Sequence, residues 1–290
     1  MSRVIASSWF LLVVFGCGGA QSTDATTADT TTADTTTDAP PPAAGSELGS
    51  VPAPRERVAS VEPSAAVAAA VADPARLEED RAIDEGRQPG QVLTFFGIEP
   101  GASVADLFAG GGYTTELIAR TVGPEGHVIA QNNAFVMDRF ARGPLEARLA
   151  RPGLENVVSV QTEFDAPLPA DAHDLDAVIF ILAYHDTVWM NADRDAMNRQ
   201  IFDALRPGGV YGIVDHDAAE GHGVDDVQTL HRIERDVLVR EVLRAGFVLD
   251  GELDALTRAD DAHDWNASPR SAGERRGESD RFTLRFIRPE

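Results

Sequence analysis

From residue 103 onward the apolar positions follow two rhythms that take turns. Short runs at 103–108 (SVADLF), 127–131 (HVIAQ), 157–161, 210–215, 247–253 and 282–287 have the length and composition of strands. The run 177–182 (AVIFIL) is apolar throughout, as a central strand buried on both faces requires. Between the runs lie segments with helical spacing. In 112–122 the apolar residues are Leu117, Ile118 and Val122, and Gly123-Pro124 ends the pattern. Helices are also predicted over 135–150, over 190–205 before Arg206-Pro207-Gly208-Gly209, and over 225–245. In the last of these Val227, Leu230, Ile233, Val237 and Val242 share a face, and Gly246 follows. Alternating strands and helices predict a parallel sheet with helices on both faces, and no repeat of solenoid period appears.

The first hundred residues read differently. Arg3 precedes an apolar run over 4–15, in the range of a signal-peptide core and too short to span a bilayer. The run ends in Val14-Phe15-Gly16-Cys17, which resembles a bacterial lipobox, with Phe15 where a small residue is usual. Cys17 is the only cysteine of the chain, so the expectation is a lipoprotein signal over 1–17 and lipidation at Cys17. A diacylglyceryl thioether plus an N-acyl chain there would meet the two-signal requirement for stable anchoring. An uncleaved anchor or a misassigned start are the alternatives. The protein is then expected at the bacterial cell envelope, anchored to a membrane by lipid only, or in the cytoplasm if the signal reading fails. Residues 18–72 are rich in Thr, Ala, Asp and Pro and are read as a disordered tether, although 65–72 could form a helical turn or two. The folded domain is expected to cover 73–290.

Charge narrows the function. The chain carries 47 acidic and 25 basic residues, for a net charge of −22. A surface of that sign does not suit the phosphate backbone of nucleic acids. All basic residues are arginine, which excludes mechanisms that need a lysine, such as Schiff-base chemistry or a P-loop. One cysteine excludes an internal disulfide and a Cys-based zinc site.

The turn Asp106-Leu107-Phe108-Ala109-Gly110-Gly111-Gly112 joins the first predicted strand to its helix. Glycines there allow close backbone approach to a ligand, and the helix start offers free N–H groups. About a hundred residues later comes Leu205-Arg206-Pro207-Gly208-Gly209. This pair of motifs resembles those of the class I S-adenosylmethionine-dependent methyltransferases, with Phe108 in place of the family's first glycine. Arg87-Gln88-Pro89, Ala183-Tyr184-His185-Asp186 and Asp280-Arg281-Phe282 resemble a bacterial branch of predicted methyltransferases. The resemblance spans about residues 75–290. It implies a Rossmann-like, mostly parallel seven-stranded sheet with the last strand antiparallel, and S-adenosylmethionine as cofactor. Asp106, Ala109, Gly110 and Gly112 are implied at the cofactor. Glu163 stands in the segment that resembles the adenine contact. The family's acidic residue for the ribose hydroxyls is missing; Gln131 or Asn132 stands there as a neutral acceptor.

Ligands of open α/β sheets bind beyond the carboxyl ends of the strands. His185 is the expected general base or acceptor orienter, with Tyr184 and with Asp186 or Asp217 beside it, or else Tyr184 and His185 form pocket wall. His216 is a second base candidate. Asp186, Asp215, His216, Asp217 and His222 could offer metal ligands, but they read as a solvated acidic rim and no metal is assigned. Trp265, in the polar insert 257–279, either covers substrate or pins the loop. The function expected is methyl transfer to a small-molecule acceptor. The alternative is a membrane-tethered binding protein that keeps the fold without turnover. The oligomeric state is left open.

Overall fold

The structure is a computed structural model and describes residues 50–290. Cys17 and the expected signal lie outside the described residues. In chain order the elements begin with β1 (Glu56–Val58), α1 (Ala65–Ala72), α2 (Glu78–Arg81), α3 (Asp84–Arg87) and α4 (Pro89–Phe95). Next come β2 (Ser103–Leu107), α5 (Tyr113–Val122), β3 (His127–Asn132), α6 (Ala134–Val136), α7 (Arg142–Leu149) and β4 (Val157–Gln161). The chain continues with β5 (Leu175–Ile181), α8 (Tyr184–Trp189), α9 (Arg194–Ala204), β6 (Leu205–His216), α10 (Arg235–Arg244), β7 (Val248–Leu253) and β8 (Arg281–Ile287).

The strands form one sheet in the order β1-β7-β8-β6-β5-β2-β3-β4. β8 runs antiparallel to both neighbours, and every other pairing is parallel. Alternate side chains of the central strands serve two cores. Ala105, Ile129, Val178, Phe180 and Ile213 pack toward α9 and α10. Val104, Val128, Ala177, Ile179 and Val214 pack toward α1, α4 and α5. Both faces are covered, which is why 177–182 carries no polar residue. Among the described residues no helix is long and apolar enough to cross a membrane.

Four expectations need correction. The sheet has eight strands, not seven, because β1 pairs in parallel with Gly251–Leu253. The ordered domain therefore starts well before residue 73: α1 buries Val67 and Ala70, and Ser64 caps it by accepting from Val67 N. The predicted helix 135–150 is interrupted by a π-turn at Met137–Ala141. Pro144 has no N–H to bond back toward Phe140, and the backbone widens ahead of it. The predicted helix 225–245 is helical only from Arg235, because Ile233 is captured by the sheet end: its N–H meets His216 O at 3.0 Å and its carbonyl accepts from Ala218.

Candidate functional site

β2 delivers its turn at the carboxyl edge of the sheet. Phe108, where the resembled family has glycine, adopts φ +53, the left-handed conformation that a glycine would take at no cost. Its ring lies parallel to Phe164 at 5.7 Å between centroids, which holds the residue there. Gly110 has φ +56, and a Cβ on it would meet nothing closer than Phe108 O at 4.0 Å. Gly112 has φ +85, but its Cβ would strike Arg148 Cδ and Leu145 Cδ1 at 2.9 Å. Gly110 thus faces open space, whereas Gly112 lets α7 close against the turn. Arg148 completes the brace by donating to Gly111 O at 2.7 Å while pairing with Asp80 and Glu116.

Asp106 lies beneath the turn, 2 % exposed, and accepts from Thr115 Oγ1. Burial pushes its carboxyl up to about 7, against the bond from Thr115. Gln131 and Asn132 are fully buried. Gln131 accepts from Phe108 N at 3.1 Å and donates to Thr162 O at 2.8 Å. Asn132 accepts from Gly110 N at 2.8 Å. Their expected role as open ribose acceptors is therefore corrected: both side chains are spent on the turn. The exposed carboxylate nearby is Glu163, whose Oε1 receives Ala134 N at 3.3 Å. Phe135 and Phe140 stand exposed on the same edge.

α8 follows β5 after Leu182, which holds φ +58. His185 is buried, and its Nδ1 lies 2.7 Å from Asp215 Oδ1. Its Nε2 faces His231 Nδ1 at 3.2 Å and Asp186 Oδ1 at 3.3 Å. Burial opposes charge on this imidazole, yet Asp215 and Asp186 push its pKa up to about 10. His185, Asp186 and His231 each turn one ligand-type atom inward, all within 4.8 Å of one another. His216, on β6, behaves oppositely. Burial and the nearby Arg281 hold it well below the usual histidine range, and its Nδ1 meets Ser279 Oγ at 2.7 Å.

A cavity of about 560 Å³ opens at the ends of β5 and β6, lined by Leu182, His216, Arg87, Arg258, Arg276 and Arg281. Glu85 and Glu278 are exposed at its rim. Among the described residues none of the four arginines forms an ion pair. Arg87 stacks over the Tyr113 ring at 4.6 Å, Arg281 donates to Gly86 O and Ser279 Oγ, and Arg258 reaches only backbone carbonyls. Burial, then Arg87 and Arg258, bring the Arg281 guanidinium down to about 10. The roof is tight where the insert meets the N-terminal arm: a Cβ on Gly86 would lie 3.0 Å from Gly277 Cα.

The structure sorts the remaining candidates. Tyr184 is not at the cavity; its buried hydroxyl donates to Glu241 and accepts from Asn198, so the catalytic role expected for it is corrected to a core contact. Asp217 accepts from Arg235 N at 3.1 Å, and His222 pairs with Asp226; neither joins the His185 cluster. Asp215, not Asp217, orients His185. Trp265 pins the insert, donating to Asp261 between Arg232 and Arg275. Sequence reasoning missed His231 and Arg148. Neither carries a local signal, since each acts through a contact with residues 46 or 37 positions away.

No protein-family model matches the chain. Solved structures do. A SAM dependent methyltransferase from Aquifex aeolicus matches with a TM-score of 0.50 and 15 % identity, over 71 % of this chain and 92 % of that one. An arsenic (III) S-adenosylmethionine methyltransferase from Chlamydomonas reinhardtii matches with a TM-score of 0.50 and 18 % identity, over 79 % of this chain and 74 % of that one. The fold is that of the Rossmann-like class I methyltransferases.

Proposed function

We propose that the chain binds S-adenosylmethionine at the Phe108–Gly112 turn and transfers its methyl group to a small anionic acceptor in the arginine-floored cavity. The observation that carries this reading is Gly110: a left-handed glycine at a strand end, held from behind by Asn132 and open in front. The bound cofactor would supply an electrophilic sulfonium methyl. Glu163, two residues past β4, offers a charged acceptor beside Ala134, just after the end of β3 where the resembled family has its ribose acid, and the exposed rings of Phe135 and Phe140 offer a flat apolar edge.

The roles expected at the strand ends change. A general base must be free to accept a proton. His185 has both ring nitrogens engaged, so it positions its neighbours rather than acting as base. His216 lines the cavity in the neutral form, and the burial and Arg281 charge that keep it neutral also disfavour the imidazolium a base must become, so it meets the acceptor as a neutral hydrogen-bonding group. Arg87 and Arg281 orient the acceptor by its negative group, as unpaired guanidinium groups do for carboxylates and phosphates. The test uses the full chain with methyl-labelled S-adenosylmethionine and a panel of small carboxylates and phosphate monoesters. Label transfer that is lost in Arg281→Gln supports the reading. Cofactor binding with no transfer to any member supports the non-catalytic binding protein instead.

A further inference from the structure

We propose that His185, Asp186 and His231 form a divalent-metal site, with Asp215 as the carboxylate that orients His185. The three inward atoms make a nearly equilateral triangle. His185 Nε2 is 3.3 Å from Asp186 Oδ1 and 3.2 Å from His231 Nδ1, and the third edge is 3.4 Å. Ligands bound at roughly 2.0–2.1 Å at the corners of a tetrahedron stand about 3.3–3.4 Å apart. An octahedral ion with the same bond lengths, such as magnesium, needs edges of about 2.9 Å. Two imidazole nitrogens and one carboxylate oxygen are also a zinc set, not a magnesium set.

Further observations agree. His185 Nδ1 meets the fully buried Asp215 at 2.7 Å, the carboxylate–histidine arrangement that fixes a ligand tautomer and aims Nε2 at the ion. Asp186 is held in place as well: its Oδ1 receives the Trp189 indole N–H at 2.7 Å. His231 holds φ +53 to reach its corner, fastened on one side by Ile233 at the sheet end and by the fully buried Arg232. Its side chain is 28 % exposed, which gives an ion a way in and leaves room for a fourth ligand.

The site does not depend on the cofactor reading. The experiment is to purify the full chain without a metal-affinity step and measure metal by mass spectrometry. The chelator-treated chain is then titrated with Zn²⁺, with circular dichroism confirming that each variant is folded. The expected result is one zinc per chain, an affinity reduced a hundredfold or more in His231→Ala, and one reduced about 10–100-fold in Asp215→Asn. Cobalt loaded in place of zinc should give the intense visible absorption of a tetrahedral site. A folded chain without stoichiometric metal that takes up no Zn²⁺ at millimolar concentration would overturn the proposal. So would affinity unchanged by His231→Ala.

Discussion

Asn132 holds Gly110 by both its backbone N–H and its backbone carbonyl. Its side-chain oxygen accepts from Gly110 N at 2.8 Å, and its amide nitrogen donates to Gly110 O at 3.3 Å. Only a carboxamide does both. The sequence alone suggests that Asn132→Asp should tighten cofactor binding by restoring the missing acid, and the structure reverses that expectation. A carboxylate would face Gly110 O with no donor, in a fully buried position. Asn132→Asp should weaken S-adenosylmethionine binding and lower stability by about 1–3 kcal/mol. Glu163→Gln should weaken binding with little effect on melting, since that carboxylate is exposed. Parallel calorimetry and thermal melts of the two variants check this contrast.

The glycines of the turn should separate in the same way. Gly112→Ala meets Arg148 and Leu145 at 2.9 Å and carries the left-handed strain, so roughly 2–4 kcal/mol of stability should be lost. Gly110→Ala carries only the strain, about 1–2 kcal/mol. Denaturant melts of the two alanine variants report the difference.

Asp106 gives a pH signature. Its folded pKa, pushed up to about 7 by burial, exceeds the ordinary 3.8. The folded state therefore holds this proton more tightly than the unfolded state. Stability from this group is full below about pH 4 and is lost as pH rises toward 7. Asp106→Asn keeps an acceptor for Thr115 without the charge. Its stability relative to the wild-type chain should rise between pH 4 and pH 7, by at least about 2 kcal/mol, and level off above. Urea melts across that range measure it, and a constant difference would contradict it.

Cys17 lies outside the described residues, and its lipidation rests on the lipobox-like sequence. Cys17→Ser should move the protein from the membrane fraction to the soluble fraction and abolish palmitate labelling. A variant that stays with the membrane would point to an uncleaved anchor.

The sequence was legible where function follows local pattern. The run 177–182 announces β5 because both its faces are buried, and the glycine turn announces itself by composition. It was silent where one residue serves a distant partner. Val227, Leu230 and Ile233 are spaced as on a helix, yet Ile233 joins the sheet end, and that departure carries His231 to His185. β1 is three residues of unremarkable composition and exists only because β7 offers an edge. Tyr184 and His185 are neighbours in sequence, but the helical turn sends one hydroxyl into the core and the other ring to Asp215.

Calorimetric titration of S-adenosylmethionine into the full chain and into Gly110→Val reads cofactor binding at the turn itself. The wild-type chain should show one binding site, with a dissociation constant within about 1 µM–1 mM, and a folded Gly110→Val variant none. A folded wild-type chain that takes up no S-adenosylmethionine over that range, or a Gly110→Val variant that binds it unchanged, would rule out cofactor binding at the Phe108–Gly112 turn.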